Sequence, residues 1–88
     1  MIGYHVTTPR KVARYHATGA ILPPVRFWPS EATARRWSKR TGRHLVLQIE
    51  VMTSYPLPDH RPARWSPDLV RRWKQVEPAD AGEDRDED

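Results

Sequence analysis

The run His44-Leu45-Val46-Leu47-Gln48-Ile49-Glu50-Val51 constrains this chain more than any other stretch. Leu45, Leu47, Ile49 and Val51 fall on one side of an extended backbone, and His44, Val46, Gln48 and Glu50 fall on the other. Alternation with period two, in a segment rich in strand formers, predicts a β-strand buried against helices. Its unpaired N–H and C=O groups require partner strands. The chain has 88 residues and no Cys, so that sheet must be held by apolar packing in one small domain, without disulfides or thiolate-bound metal.

The flanking segments supply the partners. Ile2-Gly3-Tyr4-His5-Val6-Thr7 alternates as well, with Ile2, Tyr4 and Val6 on one face and Gly3, His5 and Thr7 on the other. Thr8 is a good helix cap and Pro9 suits the first helical position, so Arg10 to Thr18 reads as a helix stopped by Gly19. Val12 and Tyr15, beside Ala13 and His16, form its apolar stripe, and Arg10, Lys11 and Arg14 its wet side. After Pro23-Pro24, residues Val25 to Trp28 read as a second strand. Ser30 caps a second helix, Glu31–Thr41, with Ala34 and Trp37 inward and Gly42 as its stop. Tyr55 to Pro62, with three prolines, reads as an irregular loop. Ser66-Pro67 predicts another helical turn with Leu69 and Val70 inward, and Trp73 to Val76 a final strand. The expectation is an α+β class: a small sheet with two to three short helices, in one compact domain over residues 1–79.

Charge divides the chain. Residues 80–88 hold six acids and one base, a net of −5, so the formal total of +4 leaves +9 on residues 1–79. The acidic segment has no large apolar group and is expected to be a disordered tail. A basic body suits an anionic partner, either a nucleotide, a nucleic acid or an acidic protein. Arg outnumbers Lys twelve to three, which coding bias alone also explains. No apolar run is long enough to span a membrane, and the N-terminus lacks the pattern of a signal peptide; a cytoplasmic location is the expectation.

Several residues are candidates for chemistry. His5 and Thr7 stand on one strand face about 6.5–7 Å apart, a spacing that suits a ribose or amide, or else forms a solvent-facing polar edge. Glu50, near Gln48 and His44, is a candidate to stabilise a cationic transition state; the alternatives are an exposed strand end or an ion pair. Arg26 follows a stiff diproline segment and is a candidate for phosphate or carboxylate recognition, with Arg40, Thr41, Gly42 and Arg43 as a further patch. Trp28, Trp37, Trp65 and Trp73, with Phe27, are either base-stacking or core residues, Trp37 and one other being assigned to the core. His5, His16, His44 and His60 have no close zinc-ligand spacing, so no metal is expected. Neither a phosphate-binding Gly-rich loop nor a nucleophile elbow is present.

The segments Tyr4-His5-Val6-Thr7-Thr8-Pro9 through Gly19, and Val25 to Ser30 with Glu31, Ala34 and Trp37, resemble the opening strands and helices of small ADP-ribosyltransferase-like domains. The Leu45 to Val51 strand resembles the one that follows. With Pro23-Pro24-Val25-Arg26, Thr41-Gly42-Arg43 and Pro56-Leu57-Pro58-Asp59-His60, the chain is also similar to short bacterial and phage-associated proteins. The resemblance implies NAD bound in a cleft between two small sheets. It makes His5 the contact to the nicotinamide ribose and a strand Glu the stabiliser of the oxocarbenium ion. The carboxylates available are Glu50 and, near the tail, Glu77.

Two functions are thus expected from the sequence. One is an NAD-dependent transferase or glycohydrolase, active or degenerate, with His5 and Glu50 catalytic and His5, Thr7 and Arg26 holding cofactor. The other is a basic binding module docking on nucleic acid or an acidic protein through Arg26, Arg35, Arg36, Lys39, Arg40 and Arg43.

Overall fold

The computed structural model describes residues 1–43 and 45–76. In chain order these form β1 (Ile2–Thr7), α1 (Pro9–Thr18), β2 (Val25–Phe27), α2 (Glu31–Thr41), β3 (Leu45–Glu50), β4 (Tyr55–Pro56), β5 (Arg64–Ser66) and β6 (Trp73–Gln75), with a short 3-10 turn at Pro58–His60. The strands make two small antiparallel sheets, ordered β1-β3-β6 and β2-β5-β4. The class is α+β. His44, Glu77, the last residues of the expected 1–79 domain and the expected acidic tail at 80–88 lie outside the described residues.

Local sequence explains both helices. Thr8 Oγ1 accepts the Lys11 N–H at 3.2 Å with Pro9 behind it, and Ser30 Oγ accepts the Thr33 N–H at 3.4 Å with Glu31 in the first turn. Each helix ends in a left-handed glycine, Gly19 or Gly42.

β3 is the middle strand of its sheet and both its faces are covered. On one face Leu47 and Ile49, with Val51 beyond the strand, pack with Ile21, Val25, Phe27 and Val70, and Val12 and Tyr15 of α1 lean on this cluster. On the other face Val46 joins Val6, Trp28, Ala34 and Ala63, with Trp37 of α2 alongside. The antiparallel register sets Gly3 opposite Ile49 and His5 opposite Leu47. Gly3, His5 and Thr7 therefore share the face of Leu47, not a solvent-facing polar edge, and Thr7 is fully buried.

The sheets meet at a two-residue bridge. Tyr4 N–H donates to the Trp28 carbonyl at 2.8 Å, and Trp28 N–H donates back at 2.9 Å. Trp28 is thus a hinge between sheets rather than the last residue of β2.

The third helix expected after Ser66-Pro67 does not form. Ser66 ends β5, and its Oγ accepts the Asp68 N–H at 3.0 Å, a hydroxyl turn that competes with helix. The Asp68 carboxylate accepts the N–H groups of Met52 at 2.6 Å and Thr53 at 3.2 Å, fixing this loop to the end of β3. Val70 is buried and bridges Ile21, whereas Leu69 points outward. The Tyr55 to Pro62 stretch carries more order than a loop, since Tyr55 and Pro56 pair with Trp65 and Arg64.

Candidate functional site

A cleft of about 600 Å3 opens where β1, β2, α1 and the end of α2 come together. Its size falls in the range of small-molecule sites, roughly 300–1,000 Å3. At its floor is a chain of hydrogen bonds. His5 Nδ1 lies 2.7 Å from the backbone carbonyl of Arg26, and Nε2 lies 3.0 Å from the Tyr15 hydroxyl. The Tyr15 hydroxyl in turn lies 3.2 Å from Thr7 Oγ1.

The carbonyl can only accept, so Nδ1 carries the proton of a neutral imidazole and Nε2 accepts. Tyr15 then donates to Nε2, and Thr7 donates to Tyr15. Burial holds the His5 pKa below its ordinary value, against the opposing effect of the Arg26 carbonyl; the charges of Lys11, Arg43 and Arg26 push it the same way as burial.

Because the folded pKa is lowered, the unfolded chain binds more protons just below the ordinary value of 6.5. The stability from neutral His5 is complete above that pH and is lost as pH falls through the lowered folded value. Melts between about pH 7.5 and pH 5 should show this loss in the wild type, and His5→Gln should show a flatter profile. Parallel profiles for the two proteins would mean that His5 is not held neutral.

Four cations line the cleft: Lys11 and Arg14 from α1, Arg26 from β2, and Arg43 just past α2. No carboxylate lines it among the described residues. On α1, Lys11, Arg14, Tyr15 and Thr18 recur at three- and four-residue steps, so one helix face turns into the cleft. Arg43 is placed by Ser38, a buried α2 residue whose hydroxyl donates to the Arg43 carbonyl. Trp37, half-buried, supplies an aromatic wall, backed by the buried Trp28, their ring centroids 5.6 Å apart.

The sequence-predicted residues separate. His5 and Arg26 meet in the cleft, joined through the Arg26 backbone while the Arg26 side chain is exposed. Thr7 does not reach a ligand. It is fully buried beneath Tyr15 and acts only by orienting the phenol. Glu50 does not converge either. It is the last residue of β3, opposite Ile2, three positions from the Leu47–His5 pair. An odd offset puts it on the opposite sheet face, and three residues carry it about 10 Å along the strand.

Tyr15 was legible only as part of an apolar stripe. Its neighbours Lys11 and Thr18 on the same helix face were the available signal. Trp65 stacks on Tyr55 at 5.0 Å, and Trp73 packs against Tyr15 and His16, so neither lines the cleft. Among the described residues, no cluster of His, Asp and Glu could hold a metal, and no helix is long and apolar enough to cross a membrane. No family model, curated protein or solved structure matches the chain.

Proposed function

We propose that this chain is a small domain of ADP-ribosyltransferase-like arrangement that binds NAD or a related nucleotide in the cleft beside His5. The observation that carries this reading is the lining: among the described residues, four cations and no carboxylate around the Trp37 indole and a neutral, fixed histidine. Cations of this kind suit a diphosphate, Arg26 and Arg43 by bidentate contact. The open part of the Trp37 indole suits a planar base or nicotinamide ring. The resemblance of the Tyr4 to Gly19 and Val25 to Trp37 segments points to the same ligand class, and the cleft lies where two small sheets meet.

NAD supplies an ADP-ribosyl group whose departure from nicotinamide leaves positive charge on the ribose. A carboxylate is the group that would stabilise that charge, and the described cleft offers none. His5 has both ring nitrogens engaged inside the protein, so it positions Tyr15 and the Arg26 backbone rather than exchanging protons. On the described residues alone, the chain is expected to bind without turnover, as a degenerate relative of the transferases.

Calorimetric titration of NAD into the wild type and Arg26→Ala tests this. Wild type should bind, and Arg26→Ala should weaken binding about tenfold through the loss of a charge-assisted contact. Nicotinamide should not be released over hours. Absence of wild-type binding at millimolar NAD would overturn the reading. Release of nicotinamide would overturn the degenerate assignment alone.

A further inference from the structure

A second cleft of about 300 Å3 lies against the first. It carries Arg36 and Arg40 on α2 and Arg61 past the 3-10 turn, with Asp59 the one carboxylate among its described lining residues. Trp28 and Trp37 border both clefts, but Trp28 is buried, so the open aromatic surface between them is that of Trp37. Trp37 is half-buried, leaving part of its surface open, and the Arg40 guanidinium sits 5.8 Å from its ring centroid. Among the described residues, the two clefts are lined by seven cations and one carboxylate.

We infer that the two clefts form one track for single-stranded nucleic acid, with the second cleft holding backbone phosphates and the open part of the Trp37 indole facing an unpaired base. This extends the nucleotide reading of the first cleft, since the track leads into it. Two observations select this partner. The cations flank an aromatic wall on both sides, and alternation of cation and aromatic is how unpaired strands are held without sequence readout. Arg supplies all three cations of the second cleft, and its planar fork matches phosphate oxygens. An acidic protein would satisfy the cations and leave the indole unused.

The test uses the full chain and a labelled oligothymidylate of roughly ten nucleotides, alongside the matching duplex and polyglutamate. Single strand should bind more tightly than either. With about four phosphates neutralised, the log–log salt slope should be near −3, a loss of roughly 50-fold between about 50 and 200 mM salt. The double variant Arg36→Ala/Arg61→Ala changes exposed side chains only. It should lose roughly tenfold in oligonucleotide affinity while its melting temperature and NAD titration match wild type.

Equal binding of duplex or polyglutamate would overturn the single-strand assignment. So would an unaffected Arg36→Ala/Arg61→Ala variant, or no oligonucleotide binding by a protein that binds NAD. Oligonucleotide binding with the expected slope, in a protein that fails the NAD titration, would support the track and remove the nucleotide reading.

Discussion

Leu47→Ala should lower the unfolding free energy by about 2–5 kcal/mol. Leu47 sits mid-way along the central strand, between His5 on β1 and Gln75 on β6, and is 1 % exposed. Its side chain packs in the cluster that holds Val25, Phe27 and Ile49. A chain of this length has roughly 4–13 kcal/mol of stability in all, so the substitution removes a large fraction of it. The melting temperature should fall by more than about 10 °C. Met52→Ala, at an almost fully exposed site on the loop after β3, should stay within about 0.5 kcal/mol of wild type. A Leu47→Ala melt as high as that of Met52→Ala would mean that β3 is not the centre of the core.

The same strand shows what the sequence made legible. Leu45 to Val51 alternates cleanly, and Thr8-Pro9, Gly19, Ser30 and Gly42 punctuate two helices by local chemistry that needs no tertiary knowledge. β1 was harder because period two identifies two faces without saying which is covered. Here both are covered, α2 lying over Val6 and the Phe27 cluster lying under Gly3, so Thr7 is more buried than Tyr4. Ser66-Pro67 misled for a related reason: a hydroxyl that caps helices also closes turns, and the Ile21–Val70 bridge decides between them. Glu50 was attractive by residue type, but its distance from His5 depends on register, which only strand pairing sets. His5 and Arg26 were legible as candidates because each stands out locally. The link between them, a ring nitrogen to a backbone carbonyl, was not.

Gly3→Ala should destabilise the fold and disturb the cleft together. In an unconstrained strand this substitution is favourable, because Gly loses more backbone freedom on folding, by about 0.5–1 kcal/mol. Here a Cβ at Gly3 would overlap the Phe27 ring at Cδ2, with Cε2 at 2.8 Å and Cγ at 2.9 Å. Phe27 is wholly buried among Val25, Leu47 and Ile49, so the ring has nowhere to turn. The strain must part β1 from β2, at a cost of roughly 1–3 kcal/mol or more, reversing the usual sign. Those two strands also carry the site: His5 is two residues beyond Gly3, and the Arg26 carbonyl it bonds is one residue before Phe27. Separation should lengthen that bond first, and the His5 Nδ1 proton should exchange faster than in the wild type in NMR spectra. Phe27→Leu, poor by itself, should recover part of the loss in the Gly3→Ala background, giving a favourable coupling on the order of 1 kcal/mol. A Gly3→Ala protein as stable as wild type, or additive effects of the two substitutions, would show that the close approach of β1 to Phe27 does not set the distance between His5 and Arg26.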